Sequence, residues 1–197
     1  MKSHTSSEHL SEELLRCCSC GSTHSFEEEA WRCQVSQVCD GLWVCGEPTQ
    51  RVDNKTLING VPSGVDLVIN LAEIEPETPH ASSIEVLWMP ATDDGSRRNE
   101  GWFEDICEAS EGRNVLMQSH LGVARAPSAA YAVLLSRGVD ECSALELVMR
   151  RRPVATTTYA SEAYEWFFQE QGTAEQVSYL ELLRQRLIKE NRARLSS

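Results

Sequence analysis

The sequence lacks several features that would each have assigned it to a class. No apolar run is long: Ala129 to Leu135 is the longest wholly apolar stretch, far short of the roughly 20 residues that span a bilayer, so no membrane association is expected. Met1 to Arg16 contains no apolar signal core, so a soluble, cytoplasmic protein is expected. Basic excess is missing too: 18 Lys and Arg stand against 30 Asp and Glu, a net charge of −12, which argues against nucleic acid as a partner. The eight cysteines follow no export or framework pattern, and free thiols are expected rather than disulfides. In a chain this acidic, an anion site has to be a local pocket.

What is present reads as one domain with terminal extensions in 197 residues. Residues 1–34 form a polar, cysteine-containing extension, its first 29 residues expected to be weakly ordered. Residues 35–171 carry the domain. Leu42 to Cys45 reads as a short strand, Thr49 to Gly60 as a helix, Val65 to Leu71 as a buried strand and Ile84 to Met89 as another. Ala91 to Asn99 is a polar loop before a helix with Trp102, Phe103, Ile106 and Cys107 on one face. Asn114 to Met117 is a further strand, and helices follow at Pro127–Leu135, Val139–Met149 and Ser161–Phe168, with a break at Arg150-Arg151-Arg152-Pro153. Strands followed by helices predict an α/β fold with a mainly parallel central sheet flanked by helices. Residues 172–197 form a C-terminal amphipathic helix in which Val177, Leu180, Leu183 and Leu187 make one stripe; it either packs back on the domain or recruits a partner or second copy.

The chemistry concentrates at residues 119–125, Ser-His-Leu-Gly-Val-Ala-Arg, placed between a strand and a helix start. Such a loop presents successive N–H groups, the helix dipole adds partial positive charge, and Arg125 supplies a planar two-pronged donor. Ser119, His120, Leu121, Gly122, Val123, Ala124 and Arg125 are therefore the candidate phosphate-binding residues. Beyond the carboxyl ends of parallel strands is also where ligands bind in such sheets.

The spacing resembles the Cys-x5-Arg signature of the cysteine phosphatases, with Ser119 in the first position. Together with Val35 to Gly46, Val65 to Leu71, Met89-Pro90-Ala91-Thr92-Asp93-Asp94-Gly95, and Ala144 followed by Arg151-Arg152-Pro153, the chain from about Val35 to Phe168 resembles a dual-specificity protein phosphatase domain. The Asp-Asp-Gly and Arg125-Ala126-Pro127 runs look most like the phosphatases of regenerating liver, whose prenylation tail has no counterpart in Arg194-Leu195-Ser196-Ser197. The resemblance implies a thiolate nucleophile at position 119, oxygen binding by Arg125 and an aspartic acid that protonates the leaving oxygen. Asp94 is the candidate by likeness to the liver group and Asp93 by the spacing after Pro90; no cofactor is implied.

Three departures bear on activity. A cradle of this kind pulls a cysteine into the thiolate range, but a pKa shift of five units, about 6.8 kcal/mol, still leaves the Ser119 hydroxyl protonated at neutral pH. Gln118 stands where the family usually has a loop-bracing histidine, and Ala126 where most members have a hydroxyl, though the liver group has alanine there. Jointly these imply a catalytically impaired pseudophosphatase that still binds phosphorylated residues or similar anions. The alternative is an active tyrosine and serine/threonine phosphatase carrying a Cys-to-Ser substitution at 119.

Other constellations carry less. Cys17, Cys20, His24 and Cys33 offer four soft ligands but not the two close pairs of most structural zinc sites, so unliganded thiols and no metal are expected. Arg97 and Arg98 either steer an anion or form a solvated turn, and Arg150, Arg151 and Arg152 are expected to finish a helix at its negative end.

Overall fold

The computed structural model describes residues 14–16, 23–25, 34–47, 61–75, 84–168 and 173–196. The helix expected over 49–60 lies outside them, as do Cys17, Cys20 and Cys33 of the possible metal set. Within the N-terminal extension, strands β1 (Leu14–Arg16) and β2 (Thr23–Ser25) pair antiparallel.

The central sheet has five strands. A two-residue Asp40-Gly41 turn joins β3 (Ser36–Cys39) to β4 (Leu42–Gly46), so the strand expected at Leu42 to Cys45 is one arm of an antiparallel pair. With β5 (Leu67–Asn70), β6 (Glu85–Trp88) and β7 (Val115–Ser119) the order is β3-β4-β7-β5-β6, and all pairings except β3 with β4 are parallel. Every residue of β5 and β7 is buried, as expected of parallel strands covered on both faces.

Alternation divides the core. Leu42, Val44, Leu67, Ile69, Val115 and Met117 face the helices, while Trp43, Cys45, Val68 and Leu116 form a smaller cluster on the opposite face. The helices are α1 (Trp102–Ala109), α2 (Arg125–Ser136), α3 (Glu141–Arg151), α4 (Ala160–Phe168) and α5 (Ala174–Leu195). α2 is buried from Arg125 to Leu135 and starts two residues before the expected Pro127, whose missing N–H is tolerated in a first turn. α5 begins with a capping box between Thr173 and Gln176 and buries Leu180, Leu183, Leu187 and Asn191. Asn191 Nδ2 donates to the Met149 carbonyl at 2.8 Å, fixing α5 on the end of α3, so the apolar stripe packs on its own domain. No helix among the described residues is long and apolar enough to cross a membrane.

Candidate functional site

The site is built where β7 stops. Its apolar residues lock it between β4 and β5, in a register that sets Gly46 beside Ser119 and Asn70 beside Gln118. Gln118 spans both neighbours, accepting from Asn70 Nδ2 at 3.4 Å and donating to the Gly46 carbonyl at 3.4 Å. An amide thus ties the three strands together just before the loop.

From His120 to Ala124 every carbonyl is taken up from outside the loop. The His120 oxygen accepts from the Glu47 amide at 3.1 Å, the Val123 oxygen from the Thr156 amide at 2.9 Å, and the Ala124 oxygen from Ser128 Oγ at 2.8 Å. Leu121 and Gly122 give their carbonyls to one side chain, Arg152, through Nη2 and Nε. In a tight loop, carbonyls turned outward leave the amides turned inward, and no acceptor among the described residues takes the amides of Leu121, Gly122, Val123, Ala124 or Arg125. The result is a concave row of N–H donors running into the start of α2. Ser119 closes it: the residue is 2% exposed, and its Oγ accepts from the Ala126 amide at 3.3 Å. His120 is held to β4 by its carbonyl and also through Nδ1, 3.2 Å from Glu47 Oε2.

Arg125 opens α2 and is directed toward the carboxyl ends of β5 and β6. Nη1 donates to the carbonyls of Ala91 at 2.7 Å and Leu71 at 3.3 Å, so one prong expected for a ligand is committed to the protein. Nη1 also lies 3.6 Å from Glu73 Oε1, and Nε lies 3.6 Å from Asp93 Oδ2.

The two candidate acids part company here. Asp93 is brought to Arg125, accepts from the Tyr159 hydroxyl at 2.7 Å and is held through its own amide by Glu73 Oε1 at 3.1 Å. Asp94 is turned into its own loop, where bonds from Ser96 and Thr92 hold its carboxyl below the usual range, the opposite of what a proton donor needs. Burial, then the bond to Asp93, pushes the Tyr159 hydroxyl up and keeps it a donor. Arg98 secures the loop from beneath: it donates to the carbonyls of Thr92 and Ser96, its amide bonds Glu162, and its guanidinium sits 4.0 Å over the Tyr159 ring. Arg97 pairs with Glu165. Arg98 therefore serves the protein's own loop, while Arg97, largely exposed, pairs with α4 at the edge of an adjoining cleft. That cleft, of about 320 Å³ and lined by Glu73, Ala91, Thr92, Arg98 and Trp102, runs along this loop.

Solved structures share this fold. Human DUSP28 superposes with a TM-score of 0.51 at 23% identity, over 77% of this chain and 95% of its own. DUSP15 gives 0.53 at 19% identity, over 79% and 95%. The fold is that of the dual-specificity phosphatases. The human tyrosine phosphatase-like serine/threonine/tyrosine-interacting protein matches as well, at 0.53 and 15% identity over 67% of this chain and 94% of its own. By sequence, no family model and no curated protein matches the chain.

On this dual-specificity phosphatase fold, several residues matter that sequence reading passed over. The run of three arginines finishes α3 as expected, with Arg150 and Arg151 in its last turn, but Arg152 at its end is also wholly buried beneath the loop. Glu73 and Tyr159 sit in segments with no motif, and only the fold brings them to Asp93. Arg184 of α5 donates to the Thr156 carbonyl at 2.9 Å, so the C-terminal helix reaches the cradle through the residue that holds Val123.

Burial suppresses the ionisation of three of the described thiols. Cys45 is buried beside Gln118, and burial raises Cys39 and Cys142 and pushes Cys107 up to about 11. Alkylation of folded protein at pH 8, followed by peptide mass spectrometry, is expected to label Cys107 about 100-fold more slowly than an ordinary thiol. Labelling at the rate of free cysteine would contradict that burial. Among the described residues no three His, Cys, Asp or Glu side chains gather as a metal-ligand set.

Proposed function

We propose that this chain holds a phosphorylated residue of a partner protein, or a similar dianion, in the loop from Ser119 to Arg125 and does not hydrolyse it. The observation that carries this reading is the loop itself, with its carbonyls bonded outward and five successive amides without acceptors, ending at a hydroxyl. Dianion binding needs donors and partial charge, which the loop and the start of α2 supply. Hydrolysis needs an ionised nucleophile, which a buried serine at neutral pH is not.

Calorimetry with inorganic phosphate and a phosphotyrosine peptide tests the reading. The wild-type chain is expected to bind both, with affinity weakened at least about tenfold by Arg125→Lys, which keeps the charge and loses the fork. Absence of binding by the wild type would overturn the proposal.

One observation favours a second reading, an active phosphatase presented with serine for cysteine: Asp93, a carboxylate placed between Arg125 and Tyr159. In that case Ser119→Cys turns over an aryl phosphate and Asp93→Asn removes that turnover. Our reading expects Ser119→Cys to stay close to background.

A further inference from the structure

We propose that the cradle selects phosphorylated protein segments in which a cationic side chain, preferably arginine, neighbours the phosphoresidue. This rests on the anion-site reading above and names the class of ligand.

The starting point is the charge at the mouth. Arg125 is 5% exposed and stands alone between two carboxylates, Glu73 and Asp93, each 3.6 Å away and each about half exposed, at 54% and 42%. One buried cation against two solvent-facing anions leaves the mouth at net −1 before a ligand arrives. The nearby cations do not redress this: Arg98 serves Thr92, Ser96 and Glu162, and Arg97 pairs with Glu165. Asp94 adds a further exposed carboxylate beside Asp93.

A second feature points independently to a ligand oxygen. Arg125 Nε is buried and has no hydrogen-bond partner, because Asp93 Oδ2 at 3.6 Å is too far to accept. A phosphate oxygen held by the loop amides is the acceptor this N–H requires. Bringing it in places a dianion beside Glu73 and Asp93. The amides act at hydrogen-bond range on the phosphate and do nothing for those carboxylates. A guanidinium carried by the ligand beside its phosphate offsets them directly, and its forked donors suit a pair of carboxylates. The chain's net charge of −12 works in the same direction, drawing cationic segments toward it and opposing anionic lipid surfaces.

The test uses the full chain and matched short peptides containing phosphotyrosine, flanked by arginine in one and by glutamate in the other, with a phosphoserine pair alongside. Fluorescence anisotropy is expected to show the arginine-flanked phosphopeptides binding about tenfold more tightly, with the difference shrinking as salt is raised. Glu73→Gln keeps the oxygen that accepts from the Asp93 amide and removes the charge. It is expected to tighten binding of the glutamate-flanked peptide and to bring the two affinities within about threefold of each other. Equal affinities for the two flanks, with inorganic phosphate bound, would overturn the selection while leaving the anion site standing. Failure of every phosphopeptide and of inorganic phosphate would overturn the anion site instead. Equal binding of the unphosphorylated arginine peptide, or preference for phosphatidylcholine vesicles containing a phosphorylated inositol lipid, would also overturn the proposal.

Discussion

Gly122→Ala is expected to destabilise the protein by about 2 to 5 kcal/mol and to abolish anion binding at the loop. Gly122 has φ +66°, a conformation that alone costs an L-residue roughly 1 to 2 kcal/mol. The added methyl would also lie 2.5 Å from the Cys45 carbonyl oxygen and 2.6 Å from Arg152 Nη2. One neighbour is the backbone of β4 and the other a guanidinium bonded to the loop, so relief requires moving the cradle itself. Overpacking of this kind adds about 1 to 3 kcal/mol. Gly95→Ala is the matched control: its φ is +81°, and nothing lies within 4 Å of the new methyl. In thermal unfolding the Gly122 variant should melt roughly 4 to 20 °C lower than wild type, and the Gly95 variant, which carries the backbone cost alone, roughly 2 to 8 °C lower. Equal melting temperatures for the two variants would mean that the loop shifts freely, and the ordered row of amides would then have no fixed geometry.

That close approach at Gly122 also marks where sequence reading ends. Short continuous apolar runs located the parallel strands because each is buried on both faces, as in residues 67–69 and 115–117. The stripe at Leu180, Leu183 and Leu187 located α5, and the strand-loop-helix order located the cradle. These signals are local, carried by neighbours in sequence or by one helix face. The turn at Asp40-Gly41 is local as well, yet only its Leu42 to Cys45 arm reads as a strand in the sequence.

The non-local part of the site was illegible for the same physical reason. Choosing between Asp93 and Asp94 requires knowing which carboxylate meets Arg125, which is decided by Tyr159, 66 positions away from Asp93, and by Glu73, 20 positions away. Both aspartates have the same chemistry, and one residue of offset turns one toward the cradle and the other into a turn made by Ser96. Arg98 reads as a solvated charge until its side chain is found 2% exposed above Tyr159. Long polar side chains are ambiguous in sequence because their stems bury as readily as their heads hydrate.

Arg152 is the sharpest instance and supports the second large prediction. In sequence it is one of three consecutive arginines, and Arg150 behaves as such a run suggests, pairing with Glu146 four residues earlier. Arg152 instead turns inward, is 0% exposed, and donates to the carbonyls of Gly122 and Leu121, to the Gln34 carbonyl at 2.8 Å and to Ser36 Oγ at 3.2 Å. Burial brings its pKa down to about 10 from the usual arginine range, so it stays charged at neutral pH and its desolvation opposes folding. The sign follows from proton counting. Above about pH 10 the folded group gives up its proton while the unfolded chain still holds it, so its contribution to stability rises with pH there and is a constant penalty below. Retaining a penalised charge is consistent with the number of acceptors it satisfies. Arg152→Met keeps a long apolar stem and removes every donor, stranding the loop carbonyls of Leu121 and Gly122 and leaving that of exposed Gln34 to water. At about 1 to 3 kcal/mol for each buried unpaired acceptor, less the relieved desolvation, a net loss of roughly 3 to 5 kcal/mol is expected. With Leu121 and Gly122 no longer drawn outward, phosphate affinity should fall as well, and Arg152→Lys should recover stability better than affinity because one ammonium cannot span both loop carbonyls. Urea unfolding together with phosphate calorimetry separates these effects. A Met variant that unfolds earlier yet binds phosphate as tightly as wild type would show that Arg152 supports the fold and leaves the cradle's geometry to other residues.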